Sequence, residues 1–107
     1  MEINDFFWHV EDDAELRGID IQTGDNPQDD VVVVEDLKSG YKTRFLISAI
    51  LENDWATLRG LATGETNITP LYHVTRIVGY YSRIENWNKS KLGELTDRRK
   101  GNYAVAV

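Results

Sequence analysis

Val31-Val32-Val33-Val34 followed by Glu35 is the longest β-branched run in the chain, and its composition predicts a strand buried on both faces. Turn-forming residues follow from Asp36 to Gly40, and Tyr41-Lys42-Thr43-Arg44-Phe45-Leu46 then alternates as a half-buried strand should. The two runs predict a β-hairpin. Downstream, Ile47, Ile50, Leu51, Trp55, Leu58 and Leu61 recur at helical spacing, with Ala62 on the same face. Ser48 or Asn53 would cap this helix and Gly64 would stop it, while Asn53-Asp54 is a natural break and Gly60 a weak point.

From Leu71 to Ile84, Tyr, Val, Ile and Thr fill most positions, predicting a pleated and largely buried strand that Gly79 interrupts. A glycine there ordinarily marks a bulge, a bend or a close backbone approach. Asn88 as N-cap, Leu92 and Leu95 on one face, positive charge from Arg98 to Lys100 and Gly101 as a stop predict a helix over 89–100. Tyr103 to Val107 would add a short strand or dock on a neighbour.

The N-terminal part is harder to read. Phe6, Phe7, Trp8 and Val10 form a dense aromatic cluster, expected in the core or a subunit contact, too short to divide helix from strand. From Glu11 to Asp30 the acidic and turn-forming content predicts a partly mobile loop, with a brief edge strand at Ile19 and Ile21 and Leu16 able to pack. The expected fold is therefore α+β, a small and mainly antiparallel sheet with two helices packed on one face. It forms one domain, 1–107, in which an acidic segment, 1–30, precedes the core, 31–107.

Charge changes the picture. Residues 1–36 hold twelve acidic side chains against Arg17 alone, and residues 37–107 hold eleven basic against six acidic, so opposite signs add to a net −6. The acidic part is a solvated loop, or it folds over or blocks a basic face. Overall acidity argues against nucleic acid as a partner, even though Lys89, Lys91, Arg98, Arg99 and Lys100 lie near Trp87, Tyr80 and Tyr81.

The absence of cysteine excludes disulfides, and with two histidines makes a structural metal site improbable. No apolar run approaches the length of a membrane span, and Met1-Glu2-Ile3-Asn4-Asp5 lacks a basic signal-peptide start, so a cytoplasmic setting without membrane contact is expected. His9 and His73 lie far apart, and Ser48, Ser82 and Ser90 stand in no recognisable hydrolase context. His73 reads as a core or interface histidine, and no phosphate-cradling loop occurs.

The segment from Val74 to Arg99 is different in kind. Arg76-x-x-Gly79-Tyr80 followed by Trp87-Asn88-x-x-Lys91-x-x-Glu94-x-x-Asp97-Arg98 resembles the C-terminal glycyl-radical segment of the anaerobic (class III) ribonucleoside-triphosphate reductases. Arg, Gly and Tyr alone would be a weak signature; six more residues in a fixed pattern make it specific. The resemblance begins after Pro70.

It implies that Gly79 can carry a stable carbon-centred radical, installed by a separate iron–sulfur activating enzyme that uses S-adenosylmethionine. No bound cofactor is expected. Glycine suits this chemistry because a Cα radical is delocalised only if the centre can flatten, which the missing Cβ allows. By the same resemblance Arg76 and Tyr80 frame the radical, Trp87 and the following helix hold the loop, and Asn88, Lys91, Glu94, Asp97 and Arg98 complete the motif. Without the motif, Lys91, Glu94 and Asp97 read as an exposed, salt-bridged helix face.

Two departures limit the resemblance. Family members pass the radical to a cysteine thiol and carry a cysteine-ligated zinc site shortly before the glycine, and this chain has no cysteine. A barrel that encloses substrate also needs about 250 residues, and the chain has 107. It is not a complete reductase. Two expectations follow: a glycyl-radical spare part or split subunit working with a cysteine-bearing partner, or a non-catalytic binding or regulatory module that self-associates or binds a reductase component. The N-terminal aromatic residues add the expectation of a homodimer.

Overall fold

The valine run becomes one of the two inner strands of a four-stranded antiparallel sheet. The computed structural model describes residues 1–77 together with Gly93 and Leu95. Their elements are α1 (Ile3–Asp12), β1 (Leu16–Gln22), β2 (Val31–Asp36), β3 (Lys42–Leu46), α2 (Ile47–Glu52), α3 (Trp55–Thr63) and β4 (Val74–Ile77), with single 3-10 turns at Pro27–Asp29 and Pro70–Tyr72. The strands pair in sequence order, every pair antiparallel. The fold is α+β, with helices packed against the sheet.

Register separates two faces. Ile21, Val32, Phe45 and Val74 stand side by side across all four strands, and all four belong to the main core. That core also takes Phe6, Phe7 and Val10 of α1, Ile47 and Ile50 of α2, Leu58 and Leu61 of α3, and Leu95. Ile19, Val31 and Val33 form a smaller cluster with Leu46 and Ile77 beside it. The valines of β2 thus alternate between two apolar layers and are all buried, as a central strand of this composition requires.

The hairpin is closed by its loop. Asp36 accepts hydrogen bonds from the Lys38 N–H (3.2 Å) and the Ser39 hydroxyl (2.7 Å), and Gly40 takes a positive φ of 79°. The helical run breaks at Asn53-Asp54 as its sequence predicts. Asn53 donates back to the Ala49 carbonyl at 2.8 Å, Asp54 caps α3 by accepting from the Thr57 N–H at 2.9 Å, and Gly64 ends the helix with φ 87°.

The N-terminal segment departs from the loop reading. Ile3, Phe6, Phe7 and Val10 lie on one helical face and are buried, so the aromatic cluster is the packed side of α1. Leu16–Gln22 is a full edge strand with a bulge between Gly18 and Asp20. The bulge lets Leu16 and Ile21, five residues apart, reach one core while Ile19 faces the other cluster. The strand expected from Leu71 begins only at Val74. Leu71 lies in the 3-10 turn and is exposed, and His73 is also exposed, at φ 55°, rather than sitting in a core strand.

Gly93 and Leu95 have helical backbone, matching the predicted 89–100 helix at those two positions. The rest of that helix, the interruption at Gly79, the turn near Trp87 and the strand at 103–107 lie outside the described residues. Among the described residues no helix is long and apolar enough to cross a membrane.

Candidate functional site

Of the motif residues, Arg76 lies among those described; Gly79, Tyr80, Trp87, Asn88, Lys91, Glu94, Asp97 and Arg98 lie outside them. Arg76 stands on β4, an edge strand of the described sheet, directly opposite Thr43 of β3, which in turn pairs with Val34 of β2. Directly paired residues share a face, and Val34 belongs to the main core. Arg76 therefore projects towards the helices.

Its guanidinium meets the C-terminal turn of α3. An Nη2 N–H donates to the Leu61 carbonyl at 3.0 Å, and the guanidinium carbon lies 4.3 Å from the centre of the Tyr41 ring. Helix C-termini carry partial negative charge on unpaired carbonyls, so a cation placed there is stabilised twice, by the dipole and by the hydrogen bond. A side chain added at Gly64 would press on Tyr41 at 3.2 Å and approach Arg76 at 3.6 Å, which keeps this corner backbone-thin. Arg76 Nε and Thr43 Oγ1 are both buried without a hydrogen-bond partner among the described residues.

The arrangement makes Arg76 a brace. It fixes the strand that leads into the glycine motif against α3, with Tyr41 as its stacking platform. Tyr41 could not be found from the sequence, because that contact joins distant parts of the chain and has no local signature.

A second charged brace holds the middle of α3. Arg59 Nε donates to Asp13 at 2.7 Å and Arg59 Nη2 to Glu15 at 2.9 Å, tying α3 to the link between α1 and β1. Burial pushes the Asp13 carboxyl up, yet the Arg59 hydrogen bond, the Glu15 N–H and the Arg59 charge outweigh it and hold Asp13 below its ordinary value. Asp13 raises Arg59 in return through their hydrogen bond, against the opposing effect of burial. Asp54 is lowered mainly by the Thr57 N–H it accepts as N-cap.

Among the described residues no group of three His, Cys, Asp or Glu side chains is arranged to hold a metal ion. The chain matches no family model, no curated protein and no solved structure.

Proposed function

We propose that this chain carries a glycyl-radical segment, related to that of the anaerobic ribonucleoside-triphosphate reductases, that works with a cysteine-bearing partner. The observation that carries the reading is the spaced set Arg76, Gly79, Tyr80, Trp87, Asn88, Lys91, Glu94, Asp97 and Arg98. Gly79 is the radical site. A separate activating enzyme removes one Cα hydrogen atom, leaving an unpaired electron shared between the flanking amide groups. With no thiol of its own, the protein needs a partner cysteine to pass the radical to substrate.

The position of Arg76 supports this reading. It anchors β4 three residues before Gly79, so the chain enters the radical site from a strand fixed to α3. β4 has an unpaired edge among the described residues, the side on which a partner's backbone would approach. The cytoplasm, where anaerobic reductases would meet it, is the expected compartment.

A reductase whose own radical glycine is replaced by alanine provides the functional test. Adding this protein with the activating enzyme, S-adenosylmethionine and reductant should restore turnover, and the Gly79→Ala variant should not. No restoration by the unaltered chain would remove the spare-part reading.

One observation favours the second reading, a non-catalytic module. The interactions of Arg76 with Leu61 and Tyr41 are internal to the fold, so part of the motif has a structural use independent of any radical. In that reading the segment is kept for its shape, and the protein binds itself or a reductase component.

A further inference from the structure

We propose that the carbonyls of Ile50, Leu51 and Asn53 form a site for a primary ammonium group, filled by the α-amino group of Met1, and that acylation of this amine is a switch that releases α1. The Met1 ammonium donates to the Asn53 carbonyl at 2.8 Å, to that of Ile50 at 3.0 Å and to that of Leu51 at 3.2 Å. Each of its three N–H groups therefore has an acceptor. The acceptors share one origin. α2 ends at Glu52 with Asn53 as its C-cap, and a helix leaves its last carbonyls without donors of its own. Those carbonyls also carry the partial negative charge of the helix terminus, which favours a cation over a neutral donor.

The contact lies where three helices meet. Met1 stands just ahead of α1 and packs against the main core, so its amine ties the start of α1 to carbonyls 49 to 52 residues later in the chain. Its charge also reaches Asp54, the N-cap of α3, whose carboxyl is lowered first by the Thr57 N–H and, least of the causes, by the N-terminal charge. Acylation strikes at this point. An acyl thioester transfers its acyl group to the nitrogen and a thiol leaves; of the two protons the ammonium gives up, one goes to the thiolate and one to solvent. The product is an uncharged amide with one N–H facing three carbonyls. A peptide joined ahead of Met1 has the same effect. Either change removes the cation from the helix terminus and leaves two acceptors without their donor. The latch is independent of the radical chemistry.

Two measurements test it. The full chain is prepared with a free amine, with an N-acetyl group on Met1, and with a short Gly-Ser peptide joined ahead of Met1. Urea unfolding followed by circular dichroism should give an unfolding constant at least about tenfold larger in both blocked forms than in the free one. On the free chain alone, labelling with an activated acetyl ester is followed by mass spectrometry. The Met1 amine should react at least about tenfold more slowly in native buffer than in concentrated urea, whereas the exposed Lys38 should react at similar rates in both. Unfolding constants that agree within about twofold across the three forms would overturn the proposal. So would a Met1 amine that is labelled equally fast in native buffer and in urea.

Discussion

Replacing Arg76 with alanine separates its structural role from its place in the motif. The change removes a charged hydrogen bond to the Leu61 carbonyl (3.0 Å) and a guanidinium lying 4.3 Å from the Tyr41 ring centre. A hydrogen bond from a charged donor contributes about 1.5 kcal/mol at the lower end of its range, suited to a half-buried site. The ring contact adds about 0.5–1 kcal/mol and the helix terminus about 0.5 kcal/mol. Against this, deletion also removes the buried, unpartnered Nε, relieving about 1 kcal/mol. The net loss is about 1.5–2 kcal/mol, large enough to decide the question. Urea unfolding followed by circular dichroism should show a lower midpoint with an unchanged slope. Arg76→Lys should recover less than half of the loss, because an ammonium lacks the planar stacking surface. A double-mutant cycle with Tyr41→Leu should return a coupling of about 0.5–1 kcal/mol. If Arg76→Ala costs under about 0.3 kcal/mol, the brace contributes nothing and the argument from Arg76 fails.

Other perturbations test other parts of the fold. Gly64→Ala places a side chain at φ 87° and against Tyr41, so it should cost about 1–3 kcal/mol, read as a lower urea midpoint. Phe45→Ala empties a fully buried site against Phe6 and should cost about 3–5 kcal/mol by the same measurement. Asp13 and Asp54 have folded pKa values below their unfolded ones, so their contribution is complete above the ordinary carboxylate value of 3.8 and is lost as pH falls through the depressed folded values. Arg59→Leu should flatten the Asp13 part of that acid-side loss and leave the Asp54 part, as read from unfolding at a series of acidic pH values.

The sheet core was legible because its signals are local. Val31 to Val34, the alternation from Tyr41 to Leu46, the break at Asn53-Asp54 and the stop at Gly64 each depend on neighbours in sequence, and each forms as expected. Two elements are only partly legible, for identifiable reasons. The aromatic cluster is buried in the core, one of the two places expected for it, and its spacing with Ile3 is the helical stripe of α1, over a run too short to divide helix from strand by pattern alone. The sequence predicts a brief edge strand at Ile19 and Ile21, and β1 contains it; the bulge after Gly18 breaks the period-two alternation, so the pattern does not reach back to Leu16. At Leu71, β-forming composition gave way to the 3-10 turn that begins at Pro70. Of the candidate site, the motif itself is a sequence observation, whereas the brace of Arg76, Tyr41 and Leu61 depends on sheet register and no linear pattern encodes it.

Electron paramagnetic resonance addresses the proposed radical most directly. The protein, purified without oxygen, is incubated with a class III activating enzyme from the same host, reductant and S-adenosylmethionine, with Gly79→Ala alongside. The glycyl-radical account predicts a doublet in the unaltered chain and none in the variant. A silent spectrum from the unaltered chain, under conditions that activate the host's own reductase, would contradict it and leave the binding-module reading.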